Sequence, residues 1–588
     1  DRPPLRIALL ASCTAQLLPK LLTEELREFG VETYIWCAGF DQFRQQLLKP
    51  DSEVYSLRPN AILLYLDGED LFRGCLSDPF SMTAAEREQV VADQVSELRH
   101  LVRRVREELP DACILLNTIS FGPISSLTGL EYNCFEPLSS ISAAYNKSLY
   151  GITQETSGLI VIDTAALMCW LGYKEWFDAR LWYLARSRWS RAAMRLLAQH
   201  YSAALRGWLG MSRKCIVVDL DNTLWGGVVG EDGVGGIALG EEGIGLAFAD
   251  FQRELLNLRR KGVLLAICSK NNPSDVKLVF ESHPAMRLKE SDFAAIRINW
   301  EDKPSNLVSI AAELSIGLDS LAFIDDNPAE RALVRKTLPE VLVPEWPSDP
   351  VHSRAALLDL ALRHFPRVRL TSEDASRAEL YQAQIKRRAL AESSGSLEDY
   401  YRSLGMVAKI GFADELTIPR IAQLTQKTNQ FNLTTRRYTE SDIKAFAERP
   451  DAIVLWLELT DRFGSNGLVG VAIFVDAGEG RWLIDTFLLS CRVIGRTAER
   501  AFLLHACGLL LERGARILYG EYRPTARNEV VRSLYPSLGF SEAAPPVAGP
   551  GEGSLWWELP LRDGVIPAPE WIDIVSVRKD GYARSQTG

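Results

Sequence analysis

No apolar run in this chain approaches the roughly 18 residues that a membrane span needs. No basic leader with an apolar core is evident either, so the expectation is a protein of the cytoplasm without a membrane partner. The ten cysteines are scattered, with no C-x-x-C pair and no Cys/His cluster of metal-ligand spacing. That excludes zinc-ribbon and dithiol redox chemistry and leaves reduced thiols as the default. Positive charge is not in excess: 66 basic residues against 76 acidic give a net charge of −10. Such a balance argues against nucleic acid as the main partner, while an acidic carrier protein would need only a local basic patch. Internal repeats and low-complexity tracts are absent as well. What is there is an ordinary globular composition, 47% hydrophobic and 24% charged over 588 residues. That length suggests about three to four domains.

The chain is organised around Lys214 to Gly233, KCIVVDLDNTLWGGVVGEDG. Cys215-Ile216-Val217-Val218 is a short apolar run that predicts a buried parallel strand. It delivers Asp219 and Asp221 to the turn after its C-terminal end, the edge where open α/β sheets bind ligands. One carboxylate can attack phosphorus while the other manages a proton, and so much negative charge in a small space asks for a divalent cation. A lone D-x-D is most often only an Asx-rich turn. Partner motifs further along the chain decide between the two.

D-L-D-N-T resembles the nucleophile motif D-x-D-x-T of the haloacid dehalogenase (HAD) superfamily of phosphoryl-transfer enzymes. Its three other signatures come after it in order. Gly262 to Asn271 is an apolar strand ending in Ser269, in the place of a phosphate-binding hydroxyl. Lys303, in Asn299-Trp300-Glu301-Asp302-Lys303-Pro304, stands where a lysine neutralises the phosphoryl group. Leu321 to Asn327 is a further strand ending in Asp325 and Asp326. Each element alone is weak; four in order, each at a strand end or the loop after it, are a strong signal.

The wording LDNTLWGGVVGEDG, CSKNN, INWEDKPSNL and FIDDNPAER is similar to the FkbH-like subfamily, a likeness running from about Arg213 to Phe540. The resemblance implies an enzyme of polyketide pathways that takes 1,3-bisphosphoglycerate, removes phosphate and loads the glyceryl unit onto the phosphopantetheine thiol of an acyl carrier protein. It implies Asp219 as nucleophile and Asp221 as general acid/base, with Ser269, Lys303, Asn222 and Thr223 binding phosphate. Mg²⁺ would be held by Asp219, the backbone carbonyl of Asp221, and Asp325 or Asp326. Between Asp221 and Ser269 there is room for a glycine-rich flap (Gly226 to Gly240) and one helix (Ile244 to Arg260), hence only a small cap.

Before residue 206 strands alternate with helices, including a long charged helix from Thr83 whose Thr-Ala-Ala-Glu start fits a capping box. This predicts a parallel sheet covered on both faces. The order resembles an SGNH/GDSL hydrolase fold, with Ser12 at the nucleophile position and Asp67 to Asp70 in a later strand-end loop. Asp163 to Arg191 holds no histidine to serve as base, and His200 comes late, so a degenerate domain that packs or docks a partner is preferred. The aromatic-rich segment Trp170 to Trp189 reads either as a covering surface or as core.

Prolines 344, 347, 350 and 366 mark a linker. Beyond Leu370, three strands in meander order (Ile453–Leu459, Gly467–Val475, Trp482–Leu489), a helix Thr497 to Arg513 and a helix Asn528 to Leu538 resemble the GNAT acyltransferase fold. Arg492-Val493-Ile494-Gly495-Arg496-Thr497 resembles its R-x-x-G-x-G/A loop, where backbone N–H groups cradle phosphate at a helix start. Arg492, Gly495, Arg496, Thr497 and Asn528 are the pantetheine-binding candidates by that resemblance. The segment Gln426 to Asn432 either lines an acyl pocket or ends a solvated helix. Cys491 sits at a strand end before Arg492 and a helix start, both of which favour a thiolate. It is either an acyl relay or a small core residue, and Cys13 is the competing nucleophile.

The reading is a three-domain α/β chain: an SGNH-like parallel-sheet domain (1–205), a HAD Rossmann-like domain with a small cap (206–365), a GNAT-like α+β domain (366–562), and a tail (563–588). Two other readings stay open. One is a HAD phosphatase of a small phosphorylated metabolite with non-catalytic flanking domains; the other is a non-catalytic biosynthetic scaffold.

Overall fold

The computed structural model describes the chain apart from residues 1–2, 79, 81, 123–129, 131–132, 134–136, 315, 370–382, 384–386, 388–389, 392–393, 429, 526–527, 547–552, 563–565, 578–582 and 586–588. The side chains of Lys427, Cys491 and residues 583–585 also lie outside the description. Two compact units result: Asp1–Met211 with Pro366–Val368, and Ser212–Phe365 with Arg369–Gly588.

In the first unit, strands β1 (Leu5–Ala11), β2 (Thr33–Cys37), β3 (Ala61–Tyr65), β4 (Cys113–Asn117) and β5 (Leu159–Ile162) form one parallel sheet in the order β2-β1-β3-β4-β5. β3 and β4 are buried along their whole length. Continuous apolar runs are what a sheet covered on both faces demands. One face packs on the long helix Ala84–Glu108 through Val91, Val95, Leu98, Val102 and Val105. The capping box expected at its start is present: Thr83 accepts the Glu86 N–H, and the Glu86 carboxylate accepts the Thr83 N–H at 2.7 Å. The other face packs on the helices Leu18–Glu28 and Arg191–Trp208. Successive crossovers diverge between β1 and β3, which puts Ser12 at the topological switch point.

The second unit holds two sheets. The smaller is parallel, with β6 (Cys215–Val218), β7 (Leu264–Ser269), β8 (Ala295–Ile298) and β9 (Leu321–Ile324) in the order β8-β7-β6-β9. β6 and β9 are adjacent, so the loops bearing Asp219 and Asp325 leave the sheet side by side. The helix Gly243–Arg260 buries Phe248, Phe251, Leu255 and Leu258 on one face of the sheet. The helix Lys303–Leu314 covers the other through Leu307, Ile310 and Leu314.

The larger sheet has nine strands in the order β15-β16-β14-β13-β12-β11-β10-β17-β18. They are β10 (Met406–Phe412), β11 (Ala452–Asp461), β12 (Gly464–Gly478), β13 (Arg481–Leu489), β14 (Ile517–Tyr522), β15 (Ser541–Glu542), β16 (Leu555–Pro560), β17 (Ile572–Val577) and β18 (Ala583–Ser585). The predicted meander is β11-β12-β13, antiparallel throughout. The parallel pair β13–β14 spans only Arg481–Ile484 against Ile517–Gly520, after which the strands part. Into this fork runs Phe431-Asn432-Leu433: Leu489 N–H donates to Phe431 O at 3.0 Å, and Arg523 N–H donates to Leu433 O at 2.8 Å. This mixed layout, with the helix Ala498–Glu512 between β13 and β14, is the α+β architecture expected of a GNAT-like region.

Two expectations need correction. The continuous helix Asn528 to Leu538 is instead a 3-10 turn, Glu529–Val531, and a short helix, Leu534–Ser537. Pro536 has no N–H to donate back to the Arg532 carbonyl, a bond that a continuous helix needs, and Tyr535 turns inward to lie over Gly520. Residues 563–588, read as a tail, contribute β17 to the sheet, parallel to β10, with β18 beyond it.

Candidate active site

The site is built where β6, β7 and β9 end. Asp219 follows β6, and its N–H donates to Ile324 O of β9 at 2.9 Å, tying the two strand ends together. Asp325, fully buried, follows β9; Lys303, 3% exposed, opens its helix beneath them. Lys303 Nζ lies 3.0 Å from Asp219 Oδ2 and also donates to Asp325 Oδ2. Arg331 donates to the backbone carbonyls of Asp325 and Asp326 at 2.8 and 2.7 Å, fixing that turn. One carboxylate oxygen each from Asp219, Asp325 and Asp326 lies within 4.8 Å of the others.

Three carboxylates crowd one ammonium here, and burial together with these charges sets how Lys303, Asp325 and Asp326 titrate. Burial works against the Lys303 ammonium, but Asp219 and Asp325 outweigh it and raise its pKa above the ordinary lysine value, so it stays charged. Burial, then the Asp219 charge, pushes Asp325 up to about 6 against the pull of Lys303. Asp326 rises for the same two reasons. Asp219 Oδ1 and Thr223 Oγ1 are buried without a hydrogen-bond partner. Buried polar atoms are rarely left so. An unmatched carboxylate oxygen in an all-oxygen, net-negative cluster fits a hard divalent cation, and an unmatched hydroxyl next to it fits a phosphoryl oxygen.

Asp221 is treated differently. Its Oδ1 accepts from Trp225 Nε1 at 2.8 Å and Val229 N–H at 3.1 Å; its Oδ2 accepts from Asn271 Nδ2 at 2.8 Å. Burial raises its pKa, and these donors oppose the rise. The carboxylate of Asp221 is therefore not part of the metal-type cluster. Ser269, 2% exposed, closes β7, on the side of β6 away from β9. Asn222 Oδ1 accepts the Gly227 N–H at 2.9 Å, and the residue sits at φ +54° to turn the chain into the flap. The flap itself is a short helix, Val229–Asp232, closed by a Gly226–Ala238 bridge. Sequence reasoning missed Trp225 and Asn271 as partners of Asp221. Both stood inside quoted motifs, but nothing in one dimension shows that they meet the same carboxylate.

The pantetheine candidates are not gathered into one site. Arg496, 3% exposed, pairs with Asp461 at 3.2 Å, and its pKa is lowered to about 10 by burial and then by Arg387. Asn528 is wholly buried and spends its amide inside the fold, donating to Asn432 O and Arg523 O at 2.9 Å and accepting the Thr525 N–H at 2.8 Å. The Asn528 amide is thus saturated by its own fold, while Arg496 is buried against Asp461. Gly495 has φ +77° and open space where a Cβ would stand, and its carbonyl accepts from Tyr401. Thr497 occupies the left-handed region at φ +59°, strained for a β-branched residue, and accepts from Trp571 Nε1 at 2.8 Å. Arg492 Nε donates to Ser490 Oγ at 3.1 Å. The Cys491 side chain lies outside the described residues. In the first unit, Cys13 is 2% exposed and burial, then Asp67, raises its thiol pKa well above the usual value, which disfavours the thiolate. Ser12 Oγ accepts the Asp67 N–H at 2.9 Å, and among the described residues no histidine hydrogen-bonds to it.

Residues 6–202 match the family described as the FkbH N-terminal domain. This stretch lies in front of the region from about Arg213 to Phe540 whose motifs resemble the FkbH-like subfamily. Among solved structures, the N-terminal part of the protein BF1531 from Bacteroides fragilis, containing a phosphatase domain complexed with Mg, is 29% identical. The alignment covers 63% of this chain and 95% of that one, with a TM-score of 0.57. The ribosomal-protein-S18-alanine N-acetyltransferase from Escherichia coli is 20% identical over 28% of this chain and 97% of its own, at a TM-score of 0.21. No curated protein matches the chain. An FkbH-like N-terminal domain and a HAD-type site of the phosphatase kind, with an acidic triad suited to a metal, are thus carried on one chain.

Proposed function

We propose that the chain is a Mg²⁺-dependent HAD-type phosphatase acting on a phosphorylated three-carbon acid. Its finer role, by the FkbH resemblance, is to load the glyceryl unit of 1,3-bisphosphoglycerate onto the phosphopantetheine thiol of an acyl carrier protein in the cytoplasm. One observation carries the phosphatase reading: Asp219, Lys303, Asp325 and Asp326 converge at adjacent strand ends while Asp221 is held apart from them. Asp219, Asp325, Asp326 and the Asp221 backbone carbonyl would hold Mg²⁺, which when bound offsets the charge of the phosphoryl oxygens. Asp219 attacks phosphorus and forms an aspartyl-phosphate as the bond to the leaving oxygen breaks. Asp221 gives that oxygen a proton, then takes one from the water that hydrolyses the aspartyl-phosphate to orthophosphate. Lys303, Ser269 and Thr223 bind the phosphoryl oxygens.

For loading, a Cys491 thiolate would attack the acyl-phosphate carbonyl and expel the second orthophosphate. The glyceryl thioester would then exchange with the pantetheine thiol at nearly equal free energy. The N-terminal domain is taken as an SGNH-like fold without esterase chemistry, supported by the engaged Ser12 hydroxyl. The second reading, a phosphatase with non-catalytic flanks, is favoured by the burial of Arg496 against Asp461 and the internal saturation of the Asn528 amide. Intact-protein mass spectrometry of a holo carrier protein incubated with enzyme and donor separates the two. A glyceryl mass gain on the carrier supports loading; orthophosphate release without any gain supports the second reading.

A further inference from the structure

Asp221 reaches the proposed chemistry already constrained at both oxygens. Two N–H donors, Trp225 Nε1 and Val229 N, occupy Oδ1, and Asn271 Nδ2 takes one side of Oδ2. The amide of Asn271 cannot be turned round. Its own Oδ1 accepts the Asn272 N–H at 2.9 Å, so Nδ2 is the end that faces the carboxylate. Both partners are fixed in turn. Trp225 is fully buried and packs edge-on against Phe280 at 6.3 Å, and Asn271 is 4% exposed.

We propose that Asn271, with Trp225, is a positioning residue: it pins Asp221 so that the one unclaimed lone pair of Oδ2 is the site from which a proton passes to the leaving group. A carboxylate held at Oδ1 alone can still swing about its Cβ–Cγ bond, and a second donor on Oδ2 stops the swing. Asn271 comes from the loop after β7 and Asp221 from the turn after β6, so the bond also locks two separate strand-end loops to each other. This inference rests on the phosphatase reading. It adds that the orientation of the acid is set by the residue two places after Ser269, and not by the metal cluster.

The consequence is selective. Protonation matters greatly for an alkoxide leaving group and little for a stabilised phenolate, since general acid catalysis helps in proportion to leaving-group basicity. The test compares glycerol 2-phosphate with p-nitrophenyl phosphate, in Mg²⁺ buffer, using the full chain. Asn271→Ala is expected to lower kcat on glycerol 2-phosphate by about tenfold or more and on p-nitrophenyl phosphate by about threefold or less. KM should move little on either. Asn271→Asp keeps the shape but turns an acceptor toward Asp221, and should discriminate more strongly still. Trp225→Phe removes the other side-chain donor while keeping the ring, and gives a second route if Asn271 variants fold poorly. Equal losses on both substrates in Asn271→Asp and Trp225→Phe would overturn the inference, because a merely structural residue would not sense the leaving group. A wild type that hydrolyses neither substrate removes the phosphatase reading, and this inference with it.

Discussion

Lys303 is where the balance of charges in the site is decided. A buried ammonium between Asp219 and Asp325 is tolerated because each partner offsets the desolvation of the other. Lys303→Met leaves three clustered carboxylates without an internal counter-charge. It is expected to lose turnover and to lower stability at neutral pH by about 3–5 kcal/mol, with part of the loss recovered in millimolar Mg²⁺. Thermal unfolding with and without the ion checks this, and a Mg²⁺-independent melting temperature in the variant would contradict it. Asp67 gives a second residue-scale prediction. Burial holds its carboxyl up at about 7, with Arg188 opposing and Asp70 and Glu69 adding to the rise. Between about pH 4 and 7 the folded chain therefore keeps a proton that the unfolded chain releases, so this group's contribution to stability falls as pH rises through that window. Asp67→Asn keeps an acceptor for the Glu69 and Asp70 N–H groups and removes the titration. Its melting temperature should gain on the wild type between pH 5 and pH 8, and a constant difference would refute the assignment. The aspartates of the site were legible because strand periodicity places them at strand ends. The burial of Arg496 was not, since its partner Asp461 lies 35 residues away.

Elements were read more accurately than their ends. Strands β6, β7 and β9 and the β11-β12-β13 meander come from apolar runs bounded by turns, and the structure shows them where the pattern puts them; β8 was not read from the sequence. The fork between β13 and β14 was invisible, because it depends on where two parallel strands stop pairing. The segment Phe431-Asn432-Leu433 closes it, and Asn528 ties that segment down by donating to Asn432 O. Asn528→Ala should therefore cost about 2–4 kcal/mol, the desolvation of several unmatched groups, and show as a lower melting temperature. A variant of wild-type stability with a raised KM for the carrier would instead restore Asn528 to a binding role. Gly520 gives an independent check of the same region. A Cβ there would stand 2.4 Å from the Tyr535 ring, so Gly520→Ala must displace that ring and should lower the melting temperature further.

At the scale of the whole molecule, composition had excluded more than it assigned. A net charge of −10 directs attention away from nucleic acid, and among the described residues no helix is long and apolar enough to cross a membrane. Function came from one constellation inside one sheet, and the roles of the flanking regions are drawn from it only as a proposal. Under the loading proposal, wild type given the donor gains a hydroxylamine-labile glyceryl mass on Cys491, and Cys491→Ala loses both that adduct and carrier loading. Loading at the wild-type rate by the alanine variant would make transfer direct or assign it to Cys13. Ser12→Ala should leave loading unchanged, since among the described residues no histidine hydrogen-bonds to the hydroxyl.

The central claim is that Asp219 is a nucleophile in a metal-dependent phosphoryl site. Orthophosphate release from a phosphorylated three-carbon acid, measured in wild type and in Asp219→Asn with Mg²⁺ or EDTA, tests it most directly. Release is expected only from wild type with Mg²⁺, returning when the ion is restored after chelation. Undiminished release by Asp219→Asn, or by the wild type in EDTA, would contradict it.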